Sequence, residues 1–287
     1  MTILKILVLA IIQGAAELLP VSSSAHVIVA EKLMGFDPTS PEMTVLLVML
    51  HTGTMFAVIL FFWKSWKRTF FASRKVFLES AKFIVIATIF TGVVGLLLKT
   101  AIEKLFMKNI PHAEIELLFG NLVLISIALA AAGILIIIAG WKSRDRQEEK
   151  NNLDLRRSSV IGIVQGLCLP FRGFSRSGAT ISTGLLLGIQ KAKVEEFSFA
   201  LAVVLTPPVI IREVMRLLKA QAGHPSQTAD MMAIFYPSLI GMALSFGAGM
   251  VALRWLSNWL EHGRWHYFGI YCLFASVVVF LFHTGGL

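Results

Sequence analysis

The stretch QGAAELLPVSSSAH, residues Gln13 to His26, places a carboxylate, a proline, three serines and an imidazole inside an otherwise apolar segment. Such groups are costly at membrane depth, so a cluster of them there indicates a functional site. Pro20 ends the preceding helix, because proline lacks a backbone N–H and clashes with the turn before it. The stretch therefore predicts a broken helix with a polar tip.

A second stretch, QGLCLPFRGFSRSGAT at residues Gln165 to Thr180, repeats this pattern in the other half of the chain. Both stretches open with Gln-Gly, continue to a proline and lead into a second short apolar segment. Broken helices in the two halves of a repeat typically meet near the membrane midplane. We therefore expect the two tips to form one phosphate-handling site.

The composition predicts a single integral membrane domain over residues 1–287. Hydrophobic residues make up 56% of the chain and charged residues 15%, with a mean hydropathy of +0.76, whereas soluble domains carry about 25% charged residues. The net charge of +9 comes mostly from loops, which favours a role in membrane orientation over nucleic-acid binding. Cys168 and Cys272 match no metal or redox spacing and are interpreted as packing residues.

Six apolar segments approach the ~20 residues that cross a bilayer: Met43–Trp63, Ala81–Leu98, Leu117–Gly140, Phe197–Leu218, Met231–Leu253 and His266–Thr284. Four others are too short and form two pairs: Ile3–Leu19 with Ser22–Met34, and Val160–Leu169 with Gly178–Ile189. We predict an all-α polytopic membrane protein with an inverted-topology repeat, in which each half is one re-entrant helical hairpin plus three transmembrane helices. Repeat 1 covers about residues 1–140, a cytoplasmic loop about 141–158, and repeat 2 about 159–287.

Lysine and arginine predict the orientation, since they favour the cytoplasmic side. Three connections that fall on one side carry them, at residues 64–75, 142–157 and 254–264. With six crossings, both termini then lie outside. The first hairpin enters the membrane from outside and the second from the cytoplasm.

The first tip carries groups suited to hydrolysis. Gln13 and Glu17 are four residues apart and Ser23 and His26 three apart, so each pair shares a helical face. A hydroxyl, or a water that it positions, can attack; an imidazole can transfer a proton; a carboxylate can orient the imidazole or hold a hard cation. Each residue alone also has a plainer interpretation, as a helix cap, a hydrogen-bonded core histidine or an ion-coupling carboxylate.

The second tip predicts an anion cradle opposite these groups. Arg172 and Arg176 are fixed positive charges, and guanidinium binds phosphate oxygens through a planar fork. The start of the following helix offers free backbone N–H groups. Arg172 alone also fits a side chain that snorkels to the membrane interface. The other predicted members of the cradle are small or hydroxylated: Ser175, Ser177, Gly178 and Thr180.

Two stretches resemble the motifs of the undecaprenyl-diphosphatase family, also called bacitracin-resistance proteins: ELLPVSSSAH (Glu17–His26) and GFSRSGATIS (Gly173–Ser182). EEFSF (Glu195–Phe199) and the overall length fit as well, so the resemblance covers essentially the whole chain. It implies removal of the terminal phosphate from the C55 lipid carrier diphosphate, at the periplasmic leaflet of the bacterial inner membrane. This reaction recycles the carrier for peptidoglycan synthesis and confers resistance to bacitracin, which competes by sequestering the substrate.

Carried over by position, the resemblance implies four catalytic residues. Glu17 is the second acidic residue of the first motif, Ser23 its proposed nucleophile and His26 its histidine, while Arg176 is the diphosphate-binding arginine of the second motif. The choice among Ser23, His26 and water as the nucleophile stays open.

The chain also departs from the family pattern. Gln13 stands where glutamate is common, and an amide supplies no charge for a metal, so the expected Mg²⁺ or Ca²⁺ would depend on Glu17 alone. Gln13 is then expected to contact substrate by hydrogen bonding. Arg172 stands where proline is common and is expected to add a phosphate contact. The role of His51, the preferred prenyl length and the formation of a homodimer stay open.

Facing hairpins in an inverted repeat are also a transporter layout. The alternative function is therefore a flippase of polyprenyl phosphate, with an ion-coupled carrier of small solutes as a third candidate. The enzyme is favoured because a carrier needs the arginine but has less need of Ser23 with His26.

Overall fold

The helices follow one another in the order short, short, long, long, long, and this order occurs twice along the chain. The computed structural model describes residues 3–36, 40–106, 115–144, 152–222 and 231–285, and every regular element in these ranges is helical. The α-helices of these ranges are α1 (Ile3–Leu18), α2 (Ser23–Leu33), α3 (Pro41–Thr69), α4 (Arg74–Phe106), α5 (Leu122–Arg144), α6 (Leu155–Cys168), α7 (Arg176–Leu186), α8 (Lys191–Ala222), α9 (Met231–Glu261) and α10 (His266–Thr284). A 3-10 turn, Ile115–Leu118, precedes α5.

Six helices of the described ranges are long and apolar enough to cross a membrane: α3, α4, α5, α8, α9 and α10. Their candidate spans are Met43–Thr69, Arg74–Leu105, Leu122–Arg144, Lys191–Met215, Phe235–Glu261 and His266–Thr284. Each overlaps one of the predicted segments, which confirms the all-α, polytopic class. The helices extend beyond several predicted ends, and α4 extends most in total, since it covers Arg74–Phe106 instead of Ala81–Leu98. The added turns contain lysine, glutamate and leucine, which favour helix outside the bilayer as well.

Large apolar side chains cover the outer surface of these helices. Ile89, Leu96, Val251, Phe274 and Val277 are each more than half exposed. Apolar patches of this extent are rare on soluble monomers and mark surfaces that contact other apolar material. The surface is therefore the one expected of a protein surrounded by lipid.

Each Gln-Gly pair lies where a short helix packs on a long one, α1 on α9 and α6 on α4. A Cβ on Gly14 would lie 2.6 Å from the carbonyl oxygen of Ser245 on α9, and a Cβ on Gly166 would lie 2.9 Å from that of Thr91 on α4. Only a residue without a Cβ permits these approaches. The two pairs thus serve the same packing purpose in the two halves.

The two pairs of short helices form hairpins with the same kind of turn. Ser22 caps α2 and Ser175 caps α7, each accepting a hydrogen bond from the backbone N–H three residues on. Both serines lie in the left-handed region, with φ of 66° and 48°. Such backbone costs about 1–3 kcal/mol per residue and concentrates at functional sites.

The structure differs from the prediction around the central loop and the second hairpin. α5 continues to Arg144 and α6 begins at Leu155, so helix covers both ends of the predicted 141–158 loop. Asp154 explains the early start of α6, because its carboxylate accepts a hydrogen bond from the backbone N–H of Arg157 at 2.7 Å. The start of α7 moves from the predicted Gly178 to Arg176 because Ser175 provides the cap. Residues 145–151 of the predicted loop lie outside the described ranges.

Candidate active site

An ion pair joins the tips of the two hairpins. Arg176 Nη2 lies 3.1 Å from Glu17 Oε1, although the residues are 159 positions apart. Their side chains are 22% and 18% exposed, so the pair is neither in open solvent nor sealed in the core. A Cβ on Gly178 would lie 3.3 Å from the Cβ of Pro20, which shows how closely the tips pack. The structure thus brings together the two stretches that the sequence predicts to be neighbours.

The carboxylate of Glu17 is the centre of the cluster. Its Oε2 accepts hydrogen bonds from Ser23 Oγ at 2.5 Å and from Gln13 Nε2 at 3.2 Å. Gln13 and Glu17 share a face of α1, and Ser23 is the first residue of α2, so the break at Pro20 folds the hydroxyl back onto the carboxylate. A carboxylate this close to a hydroxyl is placed to take its proton as the oxygen attacks. The geometry therefore favours Glu17 over His26 as the base for Ser23.

His51 belongs to the same cluster. Its Nδ1 lies 3.0 Å from Gln13 Nε2 and 3.8 Å from Glu17 Oε2. Gln13 thereby links a histidine on α3 to the carboxylate on α1 by donating to both. The sequence shows His51 only as one polar residue in an apolar span, which does not reveal its partners.

His26 has other partners than the sequence suggests. Its Nδ1 lies 2.8 Å from the carbonyl oxygen of Ser22, and its Nε2 lies 2.7 Å from the hydroxyl of Tyr271 on α10. Within the described part of the chain, neither ring nitrogen forms a hydrogen bond with Glu17 or Ser23. Sequence reasoning missed Tyr271, and its only signal was a phenol within an apolar span.

The second tip presents Arg176 and uses its hydroxyls to hold the backbone. Ser175 caps α7, and Ser177 Oγ donates to the carbonyl oxygen of Leu19 at 3.4 Å. Thr180 Oγ1 donates to the carbonyl oxygen of Arg176 at 2.8 Å and lies 2.6 Å from Ser198 Oγ. Ser177 thus ties the start of α7 to the first hairpin, and Thr180 ties it to α8.

Arg176 has a guanidinium nitrogen that can donate to an anion, whereas the guanidinium of Arg172 packs on an aromatic ring. Within the described part of the chain, Arg176 Nη1 is buried and has no hydrogen-bond partner. The guanidinium of Arg172 lies over the ring of Phe119, 4.4 Å from its centroid, and interacts electrostatically with Glu31. A buried, unpaired guanidinium N–H is costly, and a phosphate oxygen would satisfy it.

The residues present do not fit a divalent cation held by the protein alone. Among the described residues, no group of three or more His, Cys, Asp and Glu side chains is placed to share an ion. Mg²⁺ and Ca²⁺ need six or more oxygen ligands. Glu17 offers a single carboxylate, and its two oxygens already contact Arg176, Ser23 and Gln13.

Comparison with known proteins places the chain in a family. The model of the family described as bacitracin resistance protein BacA matches residues 6–278. Undecaprenyl-diphosphatase 2 of Acinetobacter baylyi is 58% identical over 282 residues, covering 97% of both chains. The undecaprenyl-diphosphatase of Parabacteroides distasonis is 31% identical over 276 residues, covering 95% of both chains. That of Korarchaeum cryptofilum is 27% identical over 296 residues, covering 97% of this chain and 98% of the relative. This chain therefore belongs to the bacitracin resistance protein BacA family.

Proposed function

We propose that this protein hydrolyses undecaprenyl diphosphate to undecaprenyl phosphate and inorganic phosphate. Relatives that match it over nearly their whole length carry the name undecaprenyl-diphosphatase. The observation that carries the proposal to this chain is the contact of Glu17 with both Arg176 and Ser23, which puts an anion-binding group, a base and a hydroxyl within one cluster. Recycling of the lipid carrier for peptidoglycan synthesis, and with it resistance to bacitracin, follow from this activity.

The proposed arrangement in the membrane is two inverted halves, each a re-entrant hairpin followed by three crossings. Three features support it: the repeated order of helix lengths, the equivalent packing of Gly14 and Gly166, and the left-handed serine caps at Ser22 and Ser175. Both termini then lie in the periplasm and the site opens towards it. A C-terminal alkaline phosphatase fusion, which is active only outside the cytoplasm, tests the orientation; an inactive, well-expressed fusion would contradict it.

Arg176 is the proposed binding group for the diphosphate. While Nη2 holds Glu17, the unpaired Nη1 takes an oxygen of the terminal phosphate, and the free amides at the start of α7 add further donors. As charge develops on the transferred phosphoryl group, this fixed cation stabilises it without reorganisation. Arg172 stacks on Phe119 and its charge also interacts with Glu31, so its contribution to phosphate binding is proposed to be the smaller one.

The proposed attacking oxygen is Ser23 Oγ or a water that it holds. The new bond forms between this oxygen and the terminal phosphorus, and the bond from that phosphorus to the bridging oxygen breaks. The proton of the attacking oxygen passes to Glu17 Oε2, and undecaprenyl phosphate leaves with the bridging oxygen. If Ser23 attacks, a water then hydrolyses the phosphoserine; if water attacks directly, inorganic phosphate forms in one step. His26 is the proposed second proton-transfer group, since it lies one turn along α2 from Ser23.

From the family resemblance we also propose that a divalent cation assists hydrolysis, although the proposed attack and proton transfer need only the protein side chains. Such an ion would neutralise charge on the diphosphate, and Glu17 is the residue that would face it. The protein side of its coordination would then be one carboxylate, with substrate oxygens and water as the other ligands.

Phosphate release by purified protein in detergent tests the function, because detergent offers no two sides between which a lipid could be flipped. We expect the wild-type protein to release inorganic phosphate from undecaprenyl diphosphate, and bacitracin to suppress this release by sequestering the substrate. Arg176→Ala and Ser23→Ala, purified as monodisperse proteins, are expected to lose at least about 10²-fold in kcat/KM. Near wild-type rates for both would reject the site, and no release by the wild-type protein would favour the flippase.

A further inference from the structure

Both ring nitrogens of His26 are engaged, and this fixes its tautomer. Nδ1 lies 2.8 Å from the carbonyl oxygen of Ser22, and Nε2 lies 2.7 Å from the hydroxyl of Tyr271. A carbonyl oxygen can only accept, so Nδ1 carries the hydrogen and the neutral ring presents its lone pair at Nε2. The Tyr271 hydroxyl therefore donates to the nitrogen that a proton-transfer group would use.

Other contacts of α10 hold Tyr271 at the height of His26. Cys272 Sγ donates to the carbonyl oxygen of Pro20 at 3.3 Å, in the turn that leads into α2. Ser276 Oγ, one turn further along, donates to the carbonyl oxygen of Ser126 on α5 at 2.8 Å. Cys272 is buried, whereas Tyr271 beside it is 44% exposed. The phenol thus reaches His26 from a helix that is anchored independently of it.

The plainer explanation is that a phenol in apolar surroundings simply needs an acceptor. The acceptor here is the free nitrogen of the proposed proton-transfer residue, and the two rings lie nearly parallel, at 12° with centroids 5.7 Å apart. In the other half, the corresponding helices α7 and α5 pack closely where Gly178 faces Ile136, since a Cβ on Gly178 would lie 2.8 Å from Cδ1 of Ile136. The polar pair therefore occurs in the half that carries the acid–base groups.

We propose that Tyr271 is a positioning residue that acts through His26. The inference rests on the proposed function, since it assigns one more member of that hydrolytic site. A phenol both donates and accepts, so when His26 takes up a proton at Nε2 the Tyr271 oxygen turns to accept the new N–H. The ring keeps one orientation in both protonation states, as orienting partners of catalytic histidines provide.

Tyr271→Phe tests the proposal, because it keeps the ring and removes only the hydroxyl. We expect kcat for phosphate release to fall roughly 10- to 150-fold, the loss of one hydrogen bond to a group that becomes charged. KM should stay within about twofold, since the binding group Arg176 is untouched. Tyr267→Phe is the matched control: Tyr267 lies one turn away on α10 and contacts Trp259 and His266. We expect wild-type kcat for this control.

A double variant separates positioning from packing. If Tyr271 acts through His26, then adding Tyr271→Phe to His26→Ala causes no further loss of kcat, because the alanine variant has already lost the interaction. If the two substitutions instead lower kcat independently, so that their effects multiply in the double variant, the proposal is overturned. Wild-type kcat in Tyr271→Phe together with a defect in Tyr271→Leu would also overturn it, because this result would indicate that only the packing of the ring matters. No hydrolysis by the wild-type protein would overturn the proposed function itself, so the two failures are distinguishable.

Discussion

Arg176→Lys separates the geometry of the guanidinium from its charge. In the structure Nη2 holds Glu17 at 3.1 Å while Nη1 is buried and unpaired, so one planar group can serve the carboxylate and a phosphate oxygen together. The ammonium of lysine keeps the positive charge but is a single point that cannot match both directions. The substitution is therefore expected to cost one of the two contacts and to leave the charge of the site unchanged.

The magnitude follows from that one contact. A hydrogen bond to a charged group contributes about 1.5–3 kcal/mol, and each 1.4 kcal/mol is a factor of ten, so kcat/KM should fall roughly 10- to 150-fold. Arg176→Ala removes the charge as well and leaves Glu17 unpaired, and its loss should exceed that of the lysine variant by at least about tenfold. The two variants together give a graded series at one position.

The assay is release of inorganic phosphate from undecaprenyl diphosphate by purified protein in detergent, with kcat and KM measured separately. Arg254→Lys is the matched control, since Arg254 is exposed on α9 and takes no part in the cluster; we expect its kcat/KM to be unchanged. All variants should elute as single species at the wild-type position. If Arg176→Lys keeps at least half of the wild-type kcat/KM, the assignment of two simultaneous contacts is refuted.

Substitutions at three further positions test the remaining contacts of the cluster. Glu17→Gln keeps a hydrogen-bond acceptor for Ser23 but is a far weaker base, so kcat should fall about 10²- to 10⁴-fold; a loss below tenfold in steady-state assays would show that Glu17 is not the base. His51→Asn places an amide oxygen near the position of Nδ1, and its kcat should stay within about threefold of the wild-type value. His51→Leu removes the acceptor for Gln13 and should lower kcat about 2- to 12-fold. Equal kcat values for the two variants would show that the contact of His51 with Gln13 has no effect on hydrolysis. Gln13→Glu adds a second carboxylate beside Glu17 and should make hydrolysis depend on Mg²⁺ or Ca²⁺. A chelator is then expected to lower the rate of this variant roughly tenfold more than that of the wild-type protein. Identical responses of the two proteins to the chelator would argue against a cation site formed by the two carboxylates.

The local features of the fold could be predicted from the sequence because their causes are local. Pro20 favours the end of the preceding helix, and a serine shortly after it is a preferred cap, so the break and the restart of the first hairpin follow from a few neighbouring residues. The expectation that the tips meet came from repetition of this pattern together with the cost of polar groups in lipid. Neither argument required knowledge of a specific contact.

The contacts of the two histidines could not be predicted, because they depend on where distant helices lie. Tyr271 is 245 positions from His26, and no periodicity or spacing links the two. His51 looked like a single polar residue until α3 was seen to lie against Gln13. The acceptor of the Ser23 proton also changed for this reason: sequence spacing paired Ser23 with His26, whereas the fold of the hairpin brings it to Glu17.

The division of the site between two hairpins has an energetic consequence. Without the ion pair, Glu17 and Arg176 would each be a largely buried charge with no opposite charge from the other hairpin, so each half is unfavourable until the other is in place. The strained caps at Ser22 and Ser175 add about 1–3 kcal/mol each to that cost. The close packing of the tips and the shared ion pair offset these terms only in the assembled fold. The integrity of the active site is therefore coupled to the docking of the two halves.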